Sequence, residues 1–149
     1  MATIRELVIQ KALTRLNGGG KPGGVPTTER ARTFALEPAQ LMSMIIYPVR
    51  NPVRNPTTPR RPAVQMAVHF AVEIRSKGDG VNSPDALVDP AIDWAVKALC
   101  NSQEPGLWTD VEYEDTEFEW SQLDYAFCLA TVRLTALSNM KSNDASALQ

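Results

Sequence analysis

One histidine, two cysteines, a run of six acids and two basic segments rich in glycine or proline are the residues of this 149-residue chain that could support chemistry. His69 lies in "VQMAVHFAVEIRS", where it shares parity with Gln65, Glu73 and Arg75, and no Ser, Cys or acid triad pattern surrounds it. A solvated strand histidine is expected there rather than a general base. Cys100 and Cys128 sit in apolar segments without a CxxC spacing, so buried free thiols are expected, with a disulfide as the alternative and no metal site. The acids between Asp110 and Glu119 alternate with aromatics, which is the pattern of a strand's solvated face, and the D-x-D-x-D-G calcium grammar is absent. "GGGKPGG" has a P-loop's composition but the wrong order: it follows a helix, and a proline follows its lysine. No G-x-S-x-G, H-E-x-x-H or G-x-G-x-x-G after a strand occurs. Nothing recommends an enzyme, and no cofactor is expected.

The remaining chemistry is charge. "YPVRNPVRNPTTPRRP", residues 47–62, holds five prolines and four arginines, Arg50, Arg54, Arg60 and Arg61, and no acid. Residues 1–75 carry eleven Lys/Arg and four Asp/Glu, a balance of +7, whereas residues 76–149 carry four and thirteen, a balance of −9. Two classes of function fit. The first is an assembly subunit that meets copies of itself head to tail through opposite charges. The second is a nucleic-acid binder using the four arginines against phosphates. The acidic pI of about 5.4 and the lack of aromatics among those arginines weigh against the second. No apolar run is long enough for a membrane span, and the N-terminus lacks the form of a signal peptide, so synthesis inside the cell is expected.

The elements that position these groups follow from periodicity. Thr3 and Glu6 have capping-box spacing ahead of a helix with an Ile4, Leu7, Val8, Leu13 and Leu16 stripe, which "NGGGKPGG" stops. Residues 17–30 are expected to be a flexible loop. "ARTFALEP" and "LMSMIIYPV" are strand candidates, and Val64 to Ile74 alternate through six period-two repeats. Asp89 and Pro90 open a helix over 90–101, and an earlier turn from Pro84 is also possible. Along "LWTDVEYEDTEFEW", Val111 and Tyr113 have one parity and Phe118 and Trp120 the other, so a bulge near Glu114–Thr116 would put all four on one side. "LDYAFCLATVRLTAL" is expected to be a central strand, apolar on both faces, and residues 138–149 a mobile tail. The sum is a single α+β domain: a mostly antiparallel sheet of about four to five strands, two helices packed on it, and a long Pro/Arg-rich inter-strand loop over 48–62.

In that order of elements the chain resembles the tail terminator proteins of long-tailed bacteriophages, the minor tail protein U-like group. The blocks that carry the likeness are "TIRELVIQKALTRL", "LMSMIIYP", "QMAVHFAVEIRSKGDG", "VDPAIDWAVKAL" and "VEYEDTEFEWSQLDYAFCLATVRLTA", within residues 3–137. The resemblance implies a virion protein at the neck end of the tail, assembled in the host cytoplasm as a ring, a homohexamer. Such a ring caps the tail tube protein, stops its polymerisation and receives a head-completion or connector protein, while genomic DNA passes through the lumen. The resemblance brings no catalytic, cofactor or metal residues. Joined to the charge split, it gives an expected ring interface in which Arg50, Arg54, Arg60 and Arg61 face Glu112, Glu114 and Glu117 of a neighbour; lumen-facing DNA contact is the lesser role for the arginines. Another head–tail connector or neck protein is the alternative within the class, and a DNA-binding accessory protein using residues 50–61 the alternative outside it.

Overall fold

The computed structural model describes residues 3–30, 42–49, 53–55, 63–77, 83–121 and 127–141, with only the backbone described at 53–55, 63–66, 121, 127 and 139–141. Helix α1 runs Ile4–Leu16, and the Thr3 side chain accepts from the Glu6 backbone N–H at 3.2 Å, as the capping-box spacing predicts. Its buried face is Ile4, Val8, Ile9, Ala12 and Leu16. Leu7 therefore turns outward, against the expected stripe, because the i, i+4 row through Ile4 takes the core side.

The strands are β1 (Thr28–Arg30), β2 (Met42–Pro48), β3 (Val53–Asn55), β4 (Ala63–Lys77), β5 (Asp110–Ser121) and β6 (Phe127–Lys141). They form one sheet in the order β1-β2-β4-β6-β5, with β3 also paired to β4. Among the described strands only β1 with β2 is parallel, and every other pairing is antiparallel. The expected α+β class with a mostly antiparallel sheet holds, and the two three-residue strands β1 and β3 raise the number of described strands to six.

Several expectations about segments change. Thr28–Arg30 pairs with Met44–Ile46, so the 17–30 segment ends in a sheet strand rather than a loop. Within 48–62, the second "VRN" pairs with Ala67–Gln65 and continues the edge that β2 begins at Pro48, opposite Phe70. An edge strand tolerates the flanking Pro52 and Pro56, because a proline there removes no inner ladder bond. Strand β6 reaches Lys141, opposite Ala63, so pairing claims the first four residues of the expected 138–149 tail. The "ARTFALEP" strand candidate, and Leu123 and Tyr125 of the last strand candidate, lie outside the described residues.

Helix α2 spans Pro84–Leu99 and not 90–101. Ser83 and Pro84 start it, and Pro90 falls inside, where Ala86 and Pro90 are both exposed, so water can serve the Ala86 carbonyl that loses its partner. Both helices lie on one face of the sheet: α1 over β1, β2 and β4, and α2 over β4 and β6. The core beneath them is Met44 and Ile46 from β2, Val68, Phe70, Val72 and Ile74 from β4, and alternate residues of β6 from Cys128 to Ala136. No described helix is long and apolar enough to cross a membrane.

Candidate functional site

The other face of the sheet, free of helices, carries the polar side chains. His69 is not solvated as expected: its side chain is 12% exposed, and its Nδ1 lies 3.0 Å from Thr135 Oγ1 and 3.3 Å from Glu114 Oε1. Thr135 also donates to Glu114, closing a three-residue cluster. A nucleophile relay needs the hydroxyl and the acid on opposite ring nitrogens. Here both meet Nδ1, which is a different arrangement, and the contacts tie β4, β5 and β6 together in register. Cys100 and Cys128 are free thiols, as expected, and burial raises the pKa of both. Among the described residues no group of three or more His, Cys, Asp or Glu side chains could hold a metal ion.

Strand β5 is an edge of the sheet, and its register explains its side chains. Tyr113 pairs with Leu134 and Asp115 with Arg133, leaving Glu114 as the extra residue of a bulge at the expected place. Beyond it Thr116, Phe118 and Trp120 oppose Val132, Ala130 and Cys128, all on the core face of β6. Val111, Tyr113, Phe118 and Trp120 thus share the helix-side face. Only Val111 is covered: Tyr113 is 46%, Phe118 47% and Trp120 56% exposed. The cause is the helix layer, which among the described residues stops over β6. Phe118 and Trp120 stack on each other with ring centroids 6.5 Å apart, so the exposed surface has a fixed shape.

The acids of β5 face the other way. Arg133 binds Asp115 at 3.1 Å and Glu117 at 2.7 Å; these contacts lower the Glu117 pKa and raise that of Arg133. Glu114 is held by His69 and Thr135. Of the three acids expected at an interface, Glu114 and Glu117 therefore already have partners within the chain, whereas Glu112 makes no ion pair among the described residues. Arg50, Arg60 and Arg61 lie outside the described residues, and Arg54 is placed only by its backbone, opposite Met66 in the β3–β4 pair.

The opposite edge of the sheet is β1 with α1 above it. Asn17, the C-cap of α1, accepts from the Thr28 N–H at 2.8 Å and donates to the Thr28 carbonyl at 2.9 Å, so one side chain serves both groups on the outer edge of β1. Arg30 binds Glu6 through both guanidinium ends at 2.7 and 3.2 Å, and this contact lowers the Glu6 pKa. Arg15 donates to the Ala98 carbonyl at 2.8 Å and pairs with Glu104, while Trp94 Nε1 donates to the Leu16 carbonyl at 2.8 Å. These bonds lock α1 to α2 and to the loop after it. The sequence reading did not assign Tyr113, Phe118 and Trp120 to an interface; their one signal was the phase slip that put them on one side.

No family model and no curated protein sequence matches the chain. Among solved structures, a chain from the virion of a native gene transfer agent particle superposes with a TM-score of 0.62 at 11% identity. The match covers 87% of this chain and 94% of that one, so the two share a fold over nearly their whole lengths.

Proposed function

We propose that this chain is a structural subunit of a phage-like virion, and within that class a tail terminator: a ring that caps the tail tube, stops its growth and offers a surface to the head-completion proteins. The observation that carries the reading is the fold shared over 87% of this chain with a gene transfer agent virion chain. The sheet-edge strand with exposed aromatics supports self-assembly, because monomeric proteins rarely leave an apolar patch of that kind uncovered. A work of surfaces rather than of a pocket also agrees with a His69 cluster that ties three strands together in register.

The test is the size and effect of the purified particle. Light scattering after size exclusion is expected to give about 98 kDa, six chains of 16.4 kDa, with a ring in negative stain and no DNA shift at moderate salt. Added to polymerising tail-tube protein, the ring is expected to stop elongation. A monomer that shifts DNA would favour a DNA-binding accessory protein, and a ring that leaves tube growth unchanged would favour another neck protein.

A further inference from the structure

We propose that the face of β5 bearing Tyr113, Phe118 and Trp120 is the seat for the α1–β1 edge of a second copy of this chain. The inference rests on the self-assembly reading above and names its contact. Among the described residues the helix layer covers the sheet from β1 to β6, and neither helix packs on β5. What the surface lacks is therefore one more helix, and α1 lies at the other edge of the same sheet. Its outward side carries Leu7, 39% exposed, an apolar side chain for an aromatic seat.

Charge selects the same occupant. Residues 110–121 hold six acids and no base, −6, of which Arg133 meets two. Residues 3–30 hold five Lys/Arg against Glu6 and Glu29, +3, and Glu104, which Lys11 and Arg15 share, brings the edge to +2. Two β5 edges would repel each other, and so would two α1–β1 edges, whereas one of each attracts. The contact is thus head to tail, and a head-to-tail contact closes into a ring when its rotation permits. Glu112 and Glu119 make no ion pair among the described residues, and they flank the aromatics on the strand's other face.

The experiment uses the full chain and two variants, F118S/W120S in the seat and L7E in the edge. All three positions are exposed in the single chain, so both variants are expected to keep the wild-type circular dichroism and, below the assembly range, its unfolding midpoint. Each alone is expected to lose association by about a hundredfold or more and run as a monomer in light scattering. Mixed one to one, they are expected to form a dimer and nothing larger, since the seat variant keeps a good edge and the edge variant a good seat. Wild-type-sized rings from F118S/W120S would overturn the seat, and rings from L7E or a mixture that stays monomeric would overturn the occupant; in both cases the ring reading stands. Monomeric wild type at hundreds of micromolar would overturn the ring reading itself. Hydrogen exchange on wild type needs no variant: dilution below the assembly range is expected to deprotect residues 113–120 and α1 together, and unchanged protection in either segment would overturn the contact.

Discussion

Asn17 offers the sharpest test of how the basic edge is built. Its amide serves the N–H and the carbonyl of Thr28, a residue only 2% exposed, so neither group has water as a ready substitute. Asn17→Ala removes both bonds and is expected to cost about 2 kcal/mol, the sum of one unsatisfied donor and one weakened acceptor. For a chain of this size that corresponds to roughly 4–8 °C in unfolding midpoint. Asn17→Asp is the more diagnostic change because its shape is the same. The carboxylate still accepts from the Thr28 N–H, but its second oxygen faces the Thr28 carbonyl where the amide donated at 2.9 Å. Only the protonated acid can donate there, so the folded-state pKa of the new group is raised above its unfolded value of about 3.9. The sign follows: the penalty against wild type is full above the folded pKa and disappears as pH falls below about 3.9. Midpoints of wild type and both variants from pH 7 to pH 4, with amide exchange at Thr28, measure this. A penalty for Asn17→Asp that stays constant over that range, or none at pH 7, would refute the account of the clamp.

Three further outcomes are expected. In denaturant titration below the assembly range, Phe70→Ala, at a side chain 1% exposed, should cost about 3–5 kcal/mol, whereas Phe118→Ala on the uncovered part of the same face should stay under about 1 kcal/mol. Arg133→Met leaves the acids of β5 without their shared cation, so its midpoint should fall at low salt and recover toward wild type as ionic strength rises from about 0.05 to 0.5 M; a salt-independent gap counts against the pairing. Hydrogen bonds from Arg30, Ser83 and Arg133 lower the pKa of Glu6, Asp85 and Glu117 respectively. Their contribution to stability is therefore present above the ordinary carboxylate range and lost as pH falls through the lowered values, which E6Q should make shallower in an acid titration.

Local grammar made much of the fold legible. Thr3 with Glu6, the alternation through β4 and the parity break at Glu114 each depend on a few neighbouring residues, and each reappears in the structure. The start of α2 did not, because Asp89–Pro90 is as good a local start signal as Ser83–Pro84. What decides between them is burial: Pro84 and Val88 join Ala91, Ala95 and Leu99 on the face packed against the sheet, which keeps the helix running through Pro90. The Pro/Arg stretch hid its one described three-residue strand for a related reason. Its prolines do exclude a helix and an inner strand, but β3 is an edge strand, and the hydrogen-bonding side it needs is supplied by β4, far along the chain.

The candidate site depended on a quantity that periodicity does not contain, namely how far the helix layer reaches. Alternation places Tyr113, Phe118 and Trp120 on the face of Val111 but does not tell whether a helix lies above them. Element counting does. Helices about 10 Å wide lie side by side over strands about 4.8 Å apart, so two helices cover roughly four strands. Here the path through the sheet has five, β1-β2-β4-β6-β5, and the two helices account for the first four. A fifth strand with aromatics toward the helix side is then short of one helix. The described residues hold no third helix, and a second copy brings one at the edge of opposite charge.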